Sequence, residues 1–139
     1  MNSINNEINN EINIVLCSGR HSFPENIDNY VFSNAISDPT DIASINKTAR
    51  ESLTEILRKE GRTSLECPFS RSCSDCGEFC WHCSESTEYI NYGTEINLYV
   101  TGLTVALIEV LNVCADLEIS VTLYHYDRDS GNYFPQKVR

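Results

Sequence analysis

The stretch of sequence that decides the fold is residues 96–126, which read INLYVTGLTVALIEVLNVCADLEISVTLYHY. Ile96 to Thr101 and Ser120 to Tyr126 are rich in β-branched and aromatic residues, which favour strands. Between them, Gly102-Leu103-Thr104 is typical of a turn, and Val105 to Leu117 is apolar on most sides, which predicts a well-buried helix. A strand, a helix and a second strand in this order predict a parallel pair joined by a right-handed crossover.

Upstream of this unit, the sequence predicts one more strand and one more helix. Ile12 to Cys17 is a short apolar run that favours a buried strand. Asp38 can cap a helix, Pro39 fits its first position, and Gly61 marks its end. The apolar residues of this helix recur at three- and four-residue steps: Ile42, Ile45, Ala49, Leu53, Ile56 and Leu57. Before it, the mixed composition around Ile27 to Phe32 allows a short helix.

Downstream, residues 127–132 predict a turn, and Tyr133 to Val138 predict an antiparallel return strand. Strands that alternate with helices predict an α/β fold with a small, mostly parallel sheet and an antiparallel C-terminal hairpin strand. We therefore expect one α/β domain over residues 12–139, which carries a Cys-rich insert at 62–94. Residues 1–11 contain a repeat of Ile, Asn and Glu that is typical of a disordered tail.

The charge of the chain narrows the class of partner. The 139 residues carry a formal net charge of −10, and a long nucleic acid is not the expected partner because phosphate backbones need a basic surface. A small anionic ligand needs only one or two local cations and some backbone N–H groups. No apolar run approaches the ~20 residues of a membrane span, and the polar N-terminus does not fit a secretion signal. We expect a cytoplasmic protein without a membrane partner.

Three loops follow the predicted strands, and ligands of open α/β sheets bind outside the carboxyl ends of the strands. The candidate ligand-binding residues in these loops are Ser18, Gly19, Arg20 and His21, then Thr101, Gly102, Leu103 and Thr104, and finally His125 and Arg128. They combine glycines, which allow close backbone approach, with cations and hydrogen-bond donors. Two alternatives stay open: Thr104 acts only as a helix cap, and His125 is a satisfied, half-buried strand residue.

The seven cysteines are expected to be reduced thiols or metal ligands, because the chain shows no secretion signal. Cys17 is expected to be structural and buried rather than nucleophilic. Two Cys-x-x-Cys pairs, Cys73 with Cys76 and Cys80 with Cys83, can each chelate one side of a tetrahedral zinc. A structural zinc would explain how an unpatterned insert stays ordered. Redox-active thiols and an iron–sulfur site are the alternatives.

Two stretches carry a resemblance to a known family. They are Asn97 to Thr104, leading into an apolar helix, and Thr122 to Arg128 with its hairpin. Both resemble the small Rossmann-like (CARF-like) domains and ring nucleases of CRISPR systems, which bind cyclic oligoadenylates and sometimes cleave them. The resemblance implies a dimer with the ligand across its two-fold axis. It also implies that residues 101–104 cradle a phosphate or base, with residues 18–21 at the neighbouring group.

The expected function is therefore binding of a cyclic nucleotide-type second messenger of antiviral defence, either to cleave it or to sequester it as viral anti-defence proteins do. Cleavage needs only positioning and charge stabilisation, which Arg20 and His21 could supply without a metal. The alternatives are a zinc-stapled protein-interaction module without a small-molecule ligand and a redox protein that uses Cys73 or Cys76. We also expect a homodimer or higher homo-oligomer, since a small sheet leaves a face or an edge open.

Overall fold

The computed structural model describes residues 11–18, 27–64 and 88–139. The elements in these ranges are β1 (Glu11–Cys17), β2 (Tyr30–Phe32), α1 (Ile42–Lys59), β3 (Thr63–Ser64), β4 (Tyr89–Ile90), β5 (Glu95–Tyr99), α2 (Thr104–Asp116), β6 (Ser120–Asp127) and β7 (Asn132–Lys137). Neither of the helices in these ranges has the length and apolar character needed to cross a membrane. The four cysteines of the predicted zinc site, and most of the predicted tail, lie outside the described residues.

Five strands form one sheet in the order β2-β1-β5-β6-β7. The first four are parallel and β7 runs antiparallel to β6, which confirms the predicted α/β fold. In the register, Ile14 lies opposite Leu98 and Leu98 lies opposite Leu123, so these three side chains form one row across the sheet. All three are buried.

Both helices pack on one face of the sheet and against each other. The core contains alternate residues of β1, β5 and β6 together with the apolar stripes of α1 and α2. The chain crosses the sheet in the same direction from β2 to β5 and from β5 to β6, and right-handed crossovers in one direction place their helices on one face. The opposite face carries polar and aromatic side chains, among them Asn97, Tyr99 and Tyr124.

Residues 27–32 contain the short strand β2 and not the short helix that the composition allowed. Tyr30, Val31 and Phe32 form β2, which pairs in parallel with β1 through Val15 opposite Tyr30 and Cys17 opposite Phe32. Val31 and Phe32 are buried. Tyr30, Val31 and Phe32 all favour strands. Their pairing with the edge of β1 stabilises this segment more than the weak local helix propensity does.

The start of α1 was predicted one turn too early. Asp41 is the N-cap, and its carboxylate accepts a hydrogen bond from the Ser44 N–H at 3.2 Å. Asp38 instead accepts from the N–H of Thr40 at 3.0 Å and from its hydroxyl at 2.6 Å. These hydrogen bonds close a local turn around Pro39, so the Asp38 carboxylate does not cap the helix.

Two short strands join the ends of the segment that holds the four cysteines. β3 and β4 pair through Thr63 opposite Ile90 and Ser64 opposite Tyr89. Beside them, the Arg58 guanidinium donates two hydrogen bonds to Glu88, at 2.9 and 2.6 Å, and the Thr63 hydroxyl donates a third. These donors lower the pKa of Glu88 to about 2. Ser64 and Glu88, the described residues on either side of this segment, therefore belong to adjacent parts of the fold.

The two helices end with the same hydrogen-bonding motif but with different residues. At the end of α1, the Arg62 N–H bonds to the Leu57 carbonyl at 2.7 Å, and Gly61 has a φ of +75°. At the end of α2, the Ile119 N–H bonds to the Cys114 carbonyl at 2.9 Å, and Glu118 has a φ of +58°. Both are Schellman motifs, in which glycine is the favoured residue at the left-handed position.

Replacing Glu118 with glycine is expected to raise the free energy of unfolding by about 1 kcal/mol, because glycine adopts a positive φ without a Cβ clash. The opposite change at the matching position, Gly61→Ala, is expected to lower it by about the same amount. Urea denaturation of the two variants and the parent protein measures both effects. A Glu118→Gly variant no more stable than the parent would contradict the assignment of strain to this residue.

The C-terminal edge strand carries a proline at a position that faces away from the sheet. The Val138 N–H donates to the Val121 carbonyl at 2.9 Å. Because alternate residues of an antiparallel strand bond to the neighbouring strand, Pro135, which lies opposite Tyr124, directs its nitrogen outward. Proline has no N–H, so this position costs the sheet no hydrogen bond.

Candidate functional site

The carboxyl ends of β1 and β5 mark the point where the chain changes direction across the sheet. From β1 the chain continues to β2 on one side, and from β5 it continues to β6 on the other. Connections that leave neighbouring strands in opposite directions open a crevice between the two strand ends, which is the usual ligand site of open α/β sheets. Ser18 follows β1 at this crevice, and residues 100–103 follow β5.

Thr101 ties these two strand ends together. Its side chain is buried, its Oγ1 donates to the Cys17 carbonyl at 2.8 Å, and it accepts from the Cys17 N–H at 3.1 Å. The backbone register of β1 and β5 ends two residues earlier, at Val15 opposite Tyr99. The Thr101 hydroxyl therefore takes the place of a backbone hydrogen-bond partner of Cys17 beyond the end of the paired register. Its hydrogen is donated to the Cys17 carbonyl.

Gly102 turns the chain from β5 into α2. It is exposed and has a φ of +86°, a conformation that favours glycine. Leu103 is the N-cap of α2 and makes no side-chain cap hydrogen bond, while Thr104 is the first helical residue. The alternative in which Thr104 is the cap of this helix was therefore wrong. No described side chain caps the first N–H groups of α2, and the positive end of the helix dipole lies at the crevice.

One cavity, of about 300 Å³, brings together the second and third predicted loops. Its described lining consists of Val100, Thr101, Gly102, His125, Tyr126 and Arg128. Arg128 is exposed in the turn after β6 and forms no ion pair within the described ranges. Arg128 is thus the arginine or lysine among the described lining residues of this cavity, and no described carboxylate pairs with it.

His125 is half-buried and already has partners. Its Nε2 lies 2.7 Å from the Gln136 Oε1, and its ring contacts the Phe134 ring at a centroid distance of 5.3 Å. This contact occupies Nε2, and no described residue is hydrogen-bonded to Nδ1. The alternative of a satisfied strand histidine thus holds for one of the two ring nitrogens.

A second cavity, of about 520 Å³, lies on the other side of the Thr101–Leu103 turn. Its described lining consists of Cys17, Ser18, Phe32, Asn34, Ala35, Ile36, Pro39 and Leu103. Ser18 donates from its hydroxyl to the Ser33 carbonyl at 3.0 Å, which joins the end of β1 to the end of β2. Most of the remaining wall is apolar.

The structure thus distributes the predicted residues over two neighbouring cavities. Thr101, Gly102, His125 and Arg128 line the smaller one, and Ser18 and Leu103 line the larger one. Thr104 is exposed at the start of α2. Gly19, Arg20 and His21 lie outside the described residues, so their placement in the site stays a prediction.

The structure describes two of the seven cysteines, Cys17 and Cys114. Cys17 is half-buried, and Cys114 is fully buried, where burial raises its pKa to about 12. Within residues 11–18, 27–64 and 88–139, no three His, Cys, Asp or Glu side chains are grouped closely enough to hold a metal ion. Cys73, Cys76, Cys80 and Cys83 fall outside these ranges, and their zinc stays a prediction.

A tyrosine cluster covers the carboxyl end of the sheet face opposite α1 and α2. The rings of Tyr99 and Tyr124 are stacked at 4.9 Å, and Tyr133 contacts both Tyr99 and Tyr126 edge-on, at 5.1 and 5.3 Å. Tyr124 and Tyr126 therefore pack on one face, as the alternation of strand residues indicated. This packing fixes the end of β6, where Arg128 follows.

Comparison with known proteins gives no match: no family model, no curated protein and no solved structure matches this chain. The resemblance to CARF-like domains stays a prediction that rests on its own residues.

Proposed function

We propose that the protein binds a small nucleotide-type anion at the carboxyl edge of its sheet, with a cyclic nucleotide second messenger as the preferred ligand class. The observation that supports this proposal most is the smaller cavity. It is lined by Gly102, at the start of α2, and by Arg128, which forms no ion pair with a described residue. A guanidinium binds phosphate with paired hydrogen bonds, and free N–H groups at a helix start add to that attraction.

The overall charge supports a small ligand over a large one. The chain carries a net charge of −10, so an extended polyanion would meet repulsion over most of the surface. Salt screens charges beyond about 10 Å at an ionic strength of 0.1 M. A ligand held within the cavity depends mainly on Arg128 and the local N–H groups, and it escapes most of that repulsion.

Two outcomes for the ligand follow from the same site. A protein that only holds the messenger sequesters it from its receptor, and a protein that also positions a 2′-hydroxyl cleaves it. Arg20 and His21, the residues that the sequence indicates for cleavage, lie outside the described residues. Binding is therefore the proposal, and chromatography of the recovered ligand distinguishes intact from linear product.

Replacing Arg128 with alanine is expected to weaken binding of the nucleotide about 10- to 100-fold, because a charge-assisted hydrogen bond contributes about 1.5–3 kcal/mol. The screen uses purified protein and cyclic di-, tri- and tetranucleotides, with thermal shift to find the ligand and calorimetry to measure its affinity. Tight binding to the native state raises the melting temperature by mass action.

Lys137→Ala is the matched control for this experiment. Lys137 is also an exposed cation, but it lies opposite Thr122 at the far end of the same hairpin, roughly 20 Å from Arg128. The control removes the same charge and should leave the affinity almost unchanged. If both variants weaken binding equally, the effect is one of net charge and not of the cavity. If no nucleotide stabilises the parent protein, the proposal fails and the zinc-stapled interaction module becomes the leading prediction.

A further inference from the structure

We infer that the 520 Å³ cavity beside the Thr101–Leu103 turn is a pocket for a nucleobase, so that one nucleotide spans this turn with its base there and its phosphate beside Gly102 and Arg128. This inference rests on the proposed function and names the part of the ligand that the smaller cavity does not hold.

The walls of the larger cavity suit a flat and weakly polar group. Phe32, Ala35, Ile36, Pro39 and Leu103 supply apolar surface. The cavity volume falls within the roughly 300–1,000 Å³ of pockets that bind small molecules. A phosphate would find no cation among its described lining residues, whereas a base would find apolar surface on several sides.

Leu103 lines this cavity from the N-cap position of α2, where a polar residue that caps the helix is usual. It is the N-cap of α2, where Ser, Thr, Asp or Asn would make a capping hydrogen bond. Leucine gives up that bond, and its side chain stays 36% exposed. Contact with an apolar ligand group in the cavity accounts for a leucine at this position.

Polar groups at the cavity are few and suit the edge of a base. Asn34 is exposed, and its side-chain amide makes no hydrogen bond with a described residue. An amide offers one acceptor and two donors, which is the combination that reads base edges.

The two cavities meet at consecutive residues of one turn. Leu103 lines the larger cavity and Gly102 lines the smaller one, and adjacent Cα atoms are about 3.8 Å apart. Gly102 has no side chain to separate them. A base and its phosphate are joined through a single sugar, so one nucleotide can reach both sides of this turn.

The test follows backbone amide signals of the isotope-labelled full chain by NMR while fragments are added at millimolar concentration. The probes are AMP, GMP, CMP and UMP, the four matching nucleosides, and ribose 5-phosphate. At least one nucleoside is expected to shift the amides of residues 32–36 and Leu103, and ribose 5-phosphate those of Gly102 and Arg128. The matching nucleotide is expected to shift both groups and to bind at least tenfold more tightly than either fragment.

Ala35→Trp and Ser37→Trp form a matched pair for this test. Both residues are exposed in the same loop, but Ala35 lines the larger cavity and Ser37 does not. Ala35→Trp is expected to abolish the shifts caused by the nucleoside and to leave those caused by ribose 5-phosphate. Ser37→Trp is expected to leave both.

The outcomes separate the pocket from the proposed function. If nucleotides shift only the amides near Gly102 and Arg128, or if Ala35→Trp changes nothing, the base pocket is overturned and the anion site stands. If nucleosides shift the larger cavity but no phosphate compound shifts the smaller one, the spanning nucleotide and the anion site are both overturned. If no probe shifts either group, both proposals fail.

Discussion

Thr101→Val is expected to lower the free energy of unfolding by about 2 to 3 kcal/mol, although valine has nearly the same shape as threonine. The Thr101 hydroxyl serves both the N–H and the carbonyl of Cys17. Valine leaves these two partly buried groups without that partner, and each unsatisfied group costs about 1–3 kcal/mol. Chemical denaturation of the variant and the parent measures the loss.

Thr101→Ser is the control, because serine keeps the hydroxyl and removes only a methyl group. We expect it to retain most of the stability that valine loses. Ligand affinity should follow the same order, since the Thr101 contact holds the Gly102 turn against the end of β1. Equal stability of the valine and serine variants would show that the hydroxyl bridge does not hold the two strand ends together.

Leu98→Ala is expected to lower the free energy of unfolding by about 3 to 4 kcal/mol. Leu98 is fully buried on β5, between Ile14 and Leu123, on the sheet face that both helices cover. Alanine loses the transfer free energy of the side chain and leaves a cavity that strands on both sides cannot close. Such a loss is a large fraction of the roughly 5–15 kcal/mol that stabilises a domain.

The control for this core substitution is Ile108→Ala on α2. Ile108 is 49% exposed, so truncation removes a side chain of the same size without opening an internal cavity. We expect a loss of less than about 1 kcal/mol for this variant. A Leu98→Ala variant as stable as Ile108→Ala would contradict the placement of Leu98 at the centre of the core.

The elements that the sequence predicted well are those with strong hydrophobic patterns. The strand, helix and strand over residues 95–127 agree with the structure to within two residues at each boundary, because burial and local propensity favour the same result there. The errors lie where a local hydrogen bond or strand pairing competes with the local sequence pattern. Asp38 closes a turn with Thr40 before it can cap, and Tyr30 to Phe32 pair with β1 instead of forming a helix.

The candidate site was predicted in part, and the missing part depends on strand order. Gly102 and Arg128 were predicted because each lies in a loop after a strand, and His125 because it lies near the carboxyl end of β6. Parallel strands bring these positions to one edge of the sheet. The sequence did not indicate the part of the larger cavity that follows β2, because these residues reach the cavity only when β2 lies next to β1. They are Asn34, Ala35 and Ile36. Strand order is a property of the packed chain, and no local pattern in residues 27–36 indicates it.

Pro135 limits how copies of this protein can join. Two sheets merge into one when their outer strands exchange backbone hydrogen bonds, and any merger through β7 would lack the donor at Pro135. The strand at the opposite edge, β2, has three residues and can form few backbone hydrogen bonds with another strand. The dimer expected from the sequence should therefore form through faces and loops of the domain. Strand-by-strand growth toward a fibril is opposed at the C-terminal edge of every copy.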